Sequence, residues 1–408
     1  MIDNRTAFVV ELPRSKSLSN RWLLLSKLSG DRIRLSGLSD SSDTVHLKRL
    51  LGHTGPVFDA GDGGTTFRFL LAYLSMISGQ HQLAGTGRIT DRPVEELVDA
   101  LLALGAEIEY TGVHGRPPLA IQGGHITGGR IDVDASRSSQ FVSALLLIAP
   151  FLRDGLELTI KDGKTVSRPY ISMTLKVLSA AGVEFHSSAE AIMISPQSVQ
   201  SCHIEIERDW SSAAFFYQLA ALLPSCTIHF SGLFRSGLQG DEKVADLFYR
   251  MGVQTADTVD GIVIRSPDHF PVLSGLLDFD LNDTPDLAPS ILMACLGRRI
   301  NCRLHGIAHL RYKESDRIKA LLELVHLSGG DAEIDHDSLI LSRFPEKFMP
   351  LIVDPLGDHR IAMSAAIFSA TRTPVTVLDP DVVNKSFPGF WNSIAAFDLP
   401  VTVRTKSC

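Results

Sequence analysis

The sequence predicts an α/β protein of two similar domains, each with its helices inside and its sheets outside. Three observations carry this. The chain is 408 residues long, too long for one ordinary hydrophobic core and suited to two domains of roughly 200 residues. One phrase, an amphipathic helix that ends in glycine and runs straight into a short strand, occurs four times, as LVDALLALGAEIEY, MTLKVLSAAGVEFHS, VADLFYRMGVQTA and IKALLELVHLSGGDAEI. Its glycines, Gly105, Gly182, Gly252 and Gly330, lie 77, 70 and 78 residues apart, a period too long for a solenoid and fitting for a duplicated α/β unit of several strands. QFVSALLLIAPFL and AAFFYQLAALLP carry few polar positions, as helices buried on most sides do.

Each repeat has a local logic. A glycine just past the last helical turn takes the left-handed conformation that ends the helix and lets the chain double back into the strand. Hydrophobic residues make up 44% of the chain and charged ones 21%, the balance of a soluble globular protein. No apolar run approaches the roughly 18 to 20 residues that span a membrane, and MIDNRTAFVVELP lacks the layout of a signal peptide. A cytoplasmic protein with no membrane partner is expected. The net charge of −7 argues against nucleic acid, which needs a basic face, so any anion binding is local. Cys202, Cys226, Cys295, Cys302 and Cys408 are odd in number and lack paired spacing, and read as reduced thiols with no disulfide or metal role.

The chemistry concentrates at helix starts. In LPRSKSLSNRWLLLSKLSG, Ser15, Ser17 and Ser19 alternate with Arg14, Lys16 and Arg21. Serines there cap free N–H groups, whereas cations in a first turn oppose the helix dipole unless an anion is present, so the stretch is either a capped helix or an anion seat. In DAGDGGTTFRFLLAYLS a glycine turn, Asp62-Gly63-Gly64, precedes Thr65, Thr66 and Arg68, without the Lys-Ser/Thr of a Walker loop. ASRSSQFVSALLL puts Ser138, Ser139 and Gln140 at the mouth of a buried helix, and TVSRPYISMTL places Ser167, Arg168 and Tyr170 around a proline suited to a first turn.

The second half repeats the design. RYKESDRIKALLEL sets Lys313 and Arg317 one turn apart at a helix entrance, with Glu314 and Asp316 between them. Asp286 precedes an apolar helix as either a cap or a catalytic carboxylate, Asp358, His359 and Arg360 open another, and Lys385 lies in a turn. Polar clusters that open several buried helices of an acidic chain point to helix N-termini converging on ligands with several negative charges.

LPRSKSLSNR, GDGGTTFRF, DRPVEELVDAL, SSQFVSALL, SRPYI, RDWSSAAFF, GLQGDEKVADLF, DTPDLAP, RYKESDRI, GDHRIAMS and NKSFPGF follow one another in this order. Together they closely resemble the 5-enolpyruvylshikimate-3-phosphate synthases over nearly the whole chain. The resemblance implies a transfer of the enolpyruvyl group of phosphoenolpyruvate to the 5-hydroxyl of shikimate 3-phosphate, with release of phosphate. It implies small-molecule substrates, no cofactor, no metal, and a monomer. It also implies an inside-out α/β barrel in each domain, made of three βαβαββ-type units. Residues 1–13 and 207–408 would form one domain and 14–206 the other, hinged, with the active site in the cleft between them.

Carried over position by position, the resemblance assigns Lys16, Ser17, Arg21, Ser138, Ser139, Gln140, Ser167, Tyr170, Asp286, His309 and Lys313 to shikimate 3-phosphate. Phosphoenolpyruvate falls to Lys16, Gly64, Arg92, Gln140, Arg317, Arg360 and Lys385. Asp286, Glu314, Lys16 and His359 are the implied catalytic residues, with Glu314 as the acid for carbon and Asp286 as the base for the hydroxyl. Three positions depart from the pattern: Arg14 stands where a glycine is usual, Phe69 where a proline is common, and His309 where an asparagine usually contacts phosphate.

Two other readings of these motifs lack their marks. A UDP-N-acetylglucosamine enolpyruvyl transferase would have Asn where Ser17 stands and a cysteine between residues 80 and 95, and has neither here. An inactive anion-binding paralogue would have lost some of Lys16, Asp286, Glu314, Arg317 and Lys385, and all are present.

Overall fold

The computed structural model describes residues 7–188 and 190–405, so Cys408 lies outside the described residues. They form two compact units: Ser15–Ile206, and the described residues up to Arg14 together with those from Glu207 onward.

Four four-stranded sheets share one topology. In Ser15–Ile206 their spatial orders are Val57–Asp59, Gly79–Ala84, Leu119–Gly123, Glu107–Tyr110, and Gly129–Ala135, Leu156–Thr165, Ala191–Ile194, His186–Ser187. In the other unit they are Phe8–Val10, Thr227–Ser231, Gly261–Arg265, Gln254–Thr258, and Leu277–Asp280, Cys302–His305, Ser338–Arg343, Asp331–Asp335. Each sheet begins with a parallel pair and ends with two antiparallel strands. In every case the last strand is the one that follows a repeat glycine. A parallel pair needs a crossover long enough to hold a helix; Gly64–Met76, Ser139–Ile148 and Ala288–Arg298 supply three of them. A smaller parallel sheet completes each unit: Ile33–Ser36 with Cys202–Glu205, and Leu351–Val353, Val375–Leu378 and Val401–Arg404.

The fourth repeat differs from its expected form. Its helix stops at Leu327 and Ser328 caps it, so the left-handed turn is made by Gly329 at φ +89°, not by Gly330. Gly330 is confined for another reason, since a Cβ there would meet Leu296, Val325 and the Arg343 carbonyl at 3.2 to 3.3 Å.

Each unit has its own core. Lys16–Leu28, Gly64–Met76 and Ser139–Ile148 pack on one another in one, and Trp210–Leu222, Ala288–Arg298 and His359–Phe368 in the other. Every residue of His359–Phe368 is buried, as is all of Trp210–Leu222 except Ser211, which explains why these segments read as apolar on all sides. Two of the polar residues they carry bond to each other: Gln218 donates to the Ser364 carbonyl at 2.8 Å, and the Ser364 hydroxyl to Gln218 Oε1 at 2.9 Å. Among the described residues no helix is long and apolar enough to cross a membrane.

Candidate active site

The polar helix starts carry two clusters, one in each unit. In Ser15–Ile206 the first helix begins at Lys16, and the Ser15 side chain accepts from the Leu18 N–H as its cap. The Lys16 ammonium pairs with Asp43 Oδ2 at 3.0 Å. Arg21, one turn on, is buried and donates to the Ser17 carbonyl at 2.9 Å, Thr174 Oγ1 at 2.8 Å, Ser143 Oγ at 3.1 Å and the Tyr170 carbonyl at 3.2 Å. All four acceptors are neutral, and burial pulls the guanidinium down to about 10, so it stays charged at neutral pH. Ser138 caps the helix Ser139–Ile148 by accepting from the Gln140 N–H. Ser167 precedes Arg168–Ala180 with φ 55° and ψ 43°, the left-handed region that is strained for a residue with a Cβ.

The glycine turn works by close approach. Gly63 caps the helix Gly64–Met76 in an extended conformation with no side-chain bond, so no positive φ calls for glycine. A Cβ on Gly64, however, would lie 2.4 Å from Arg92 Nη1 and 2.8 Å from Arg68 Nη1. Two guanidinium groups thus flank one helix N-terminus. Arg68 is tied down, donating to the Gly64 carbonyl at 3.1 Å, the Pro93 carbonyl at 3.1 Å and Gln140 Oε1 at 2.8 Å. Gln140 in turn donates to Thr65 Oγ1 at 3.0 Å. Arg92 is 5% exposed, and among the described residues its Nε has no hydrogen-bond partner and no carboxylate pairs with it. A buried cation beside a helix N-terminus is an arrangement suited to an anion.

The second cluster is a carboxylate-guanidinium network. Arg317 is fully buried and reaches three acids: Asp286 Oδ1 at 3.0 Å, Glu314 Oε2 at 2.7 Å and Asp358 Oδ2 at 2.9 Å. Asp286 also takes Arg360 at 2.8 Å and Lys313 at 4.0 Å. Burial would raise the Asp286 carboxyl, but Arg360, Lys313 and Arg317 outweigh it and hold the group well below the usual carboxylate range. Burial likewise opposes the charge of Arg317, and Asp358, Glu314 and Asp286 raise it above its ordinary value. The reading of Asp286 as a helix cap does not hold: Leu287 occupies the cap position of Ala288–Arg298, with no side-chain bond. Nor do Lys313 and Arg317 share a helix face, because the helix begins at Arg317 and Asp316 is its cap. They meet at Asp286 instead, through the fold of the preceding turn.

The remaining assigned residues lie nearby along the chain. His359 and Arg360 open the buried helix capped by Asp358, whose side chain accepts from the Arg360 N–H. Lys385 is buried at the end of the turn Pro380–Lys385, which packs against that helix. His309 is buried in the turn Ala308–Tyr312. Phe69 lies inside an unbroken Gly64–Met76, with its ring 5.8 Å from the Arg21 guanidinium carbon.

Sequence reasoning missed Asp43 and Asp241, and gave Arg68 no supporting role. Asp43 follows the cap Ser41 in a helix start like the others, which was the available signal. Asp241 is buried, accepts from the Ser211 hydroxyl, and is pushed up to about 7 by burial and by Asp286, against the pull of Arg360. Among the described residues no group of His, Cys, Asp or Glu is placed to hold a metal ion.

Repeated mixed sheets and buried helices, with clustered polar and charged side chains at the helix starts, define an α/β protein. The family model of EPSP synthase (3-phosphoshikimate 1-carboxyvinyltransferase) matches residues 46–394. A 3-phosphoshikimate 1-carboxyvinyltransferase of Bacteroides fragilis strain YCH46 is 39% identical over 399 residues, 96% of each chain. One of Pseudoalteromonas translucida strain TAC 125 is 35% identical over 415 residues, 95% of this chain and 96% of that one. Among solved structures, EPSP synthase from Acinetobacter baumannii superposes with a TM-score of 0.73 at 21% identity over 96% of both chains. The enolpyruvyl transferase NikO from Streptomyces tendae gives 0.72 at 14% identity, over 97% of this chain and 96% of that one. The chain belongs to the EPSP synthase family.

Proposed function

We infer that this protein transfers the enolpyruvyl group of phosphoenolpyruvate to the 5-hydroxyl of shikimate 3-phosphate and releases phosphate, a step toward aromatic amino acids. Family membership supports the reaction, and the single structural observation that carries it is Arg92, a buried guanidinium without a protein anion beside Gly64. Each substrate carries a carboxylate and a phosphate. Two like charges 4 Å apart repel by about 4 kcal/mol at an effective dielectric near 20, so the substrates meet only where cations and helix dipoles neutralise them.

Lys16, Gly64, Arg92 and Gln140 take phosphoenolpyruvate in this reading, together with Arg317, Arg360 and Lys385. Ser17, Arg21, Ser138, Ser139, Ser167 and Tyr170 take shikimate 3-phosphate, with Asp286, His309 and Lys313. Glu314, protonated once the substrates' negative charges offset Arg317, delivers a proton to the methylene carbon, the 5-hydroxyl adds to the adjacent cation-like carbon, and its proton passes to Asp286. Return of a methyl proton to the Glu314 carboxylate and departure of phosphate then restore the double bond. Asp286, held ionised by its cations, accepts hydrogen and does not donate it. Helices inside and sheets outside, in barrels of three βαβαββ-type units, a monomeric state, and a cytoplasmic location without metal or cofactor complete the proposal. The wholly buried helices support its first part.

Phosphate release without added metal tests the reaction. Release is expected with phosphoenolpyruvate plus shikimate 3-phosphate and none with UDP-N-acetylglucosamine; the reverse pattern would overturn the assignment. Two variants test the anion seat. Arg92→Ala removes a charge-assisted bond worth about 1.5–3 kcal/mol and is expected to raise the KM for phosphoenolpyruvate roughly 10- to 150-fold. Its melting temperature should hold, because Arg92 forms no ion pair to lose. Gly64→Ala drives a methyl group against Arg92 and is expected to raise the same KM while leaving the binding of shikimate 3-phosphate, measured by calorimetry, unchanged.

A further inference from the structure

His309 lies in the turn Ala308–Tyr312, which packs on the helix Arg317–Leu327. Its imidazole is 4% exposed, and Nε2 has no hydrogen-bond partner among the described residues. The charged groups that act on it are Lys313 just past the turn, Arg317 at the start of that helix, and Asp286. On the neighbouring hairpin, the Asp337 carboxylate is spent accepting from the Ala308 N–H. Asp286 is itself balanced by Arg317, Arg360 and Lys313. Burial first, then Lys313 and Arg317 against Asp286, push the imidazole down to about 3, so it is neutral in the free protein. A buried imidazole nitrogen without a protein partner, beside two cations, is placed to meet a negative ligand.

We propose that His309 takes up a proton when the phosphate group of shikimate 3-phosphate settles against its Nε2, so that it becomes a cation only while that anion is bound. The proposal rests on the substrate reading above. A dianion within about 4 Å, at an effective dielectric near 20, attracts an imidazolium strongly enough to carry the group past neutrality. The free protein thereby avoids one more buried positive charge, and the occupied one gains a charge-assisted bond.

Isothermal titration of shikimate 3-phosphate at pH 7, in two buffers of different ionisation enthalpy, measures the protons exchanged. The wild-type protein is expected to take up at least half a proton more per ligand than either His309→Asn or His309→Gln. This comparison cancels the proton exchange of the ligand's own phosphate. Above pH 7 the wild-type affinity should fall with pH more steeply than that of the variants, by up to tenfold per pH unit. Equal proton uptake in the wild type and in whichever variant folds would overturn the proposal and leave the substrate reading standing. Absence of binding to the wild type would overturn both.

Discussion

Glu314→Gln is expected to lower turnover by about a thousandfold, within the range ascribed to a positioned proton donor, and to leave the binding of shikimate 3-phosphate nearly intact. The substitution keeps the size of the side chain and an oxygen for Arg317, which now lies 2.7 Å from Glu314 Oε2. Arg317 also keeps Asp286 and Asp358, so the network survives. What is lost is the ability to hand a proton to carbon, a step that a primary amide cannot perform. Steady-state turnover beside calorimetric affinity separates the two effects. Wild-type turnover in the variant would remove Glu314 from the proton path.

Arg317→Leu is expected to have the largest effect on stability. It takes a guanidinium from three carboxylates; Asp286 keeps Arg360 and Lys313, whereas Asp358, fully buried, keeps among the described residues the Ser315 hydroxyl at 3.1 Å and the Arg360 N–H at 3.0 Å. Breaking a buried ion network from one side costs about 3–5 kcal/mol, which for a unit of this size lowers the melting temperature by roughly 6–20 °C. The pH dependence checks the cause. Asp286 is held below its unfolded value, so it stabilises the folded state above about pH 4, and that contribution fades as acid protonates the group. The wild-type protein should therefore lose stability as pH falls below about 4. Arg317→Leu should narrow its deficit there, because protonation relieves the stranded acids. A variant that melts like the wild type at neutral pH would show that the network carries no net stability.

Much of the site was legible because helix starts are local. Ser15, Ser138 and Asp358 cap the helices that their sequence positions indicate, and each cap needs only the three or four residues after it. The roles of the charges were less legible. Lys313 and Arg317 read as one helix face, yet the chain between them is a turn. Arg21 reads as a ligand cation, and the structure shows it holding Thr174, Ser143 and Tyr170. Gly64 reads as a turn residue and serves as a gap for Arg92.

The repeated α/β unit, the buried helices and the polar, charged helix starts follow from the local sequence, because periodicity, caps and turn glycines act over one or two turns of chain. Only the tertiary structure decided which charges meet. Arg317 finds Asp286 and Asp358 across 31 and 41 residues, Arg68 finds Gln140 across 72, and Arg21 finds Thr174 across 153. Coulomb energy depends on distance and on the dielectric of the surroundings, and both are set by several segments packing at once. That is why Arg92 remains without a protein anion while Arg317 has three, and why His309 is neutral between two cations.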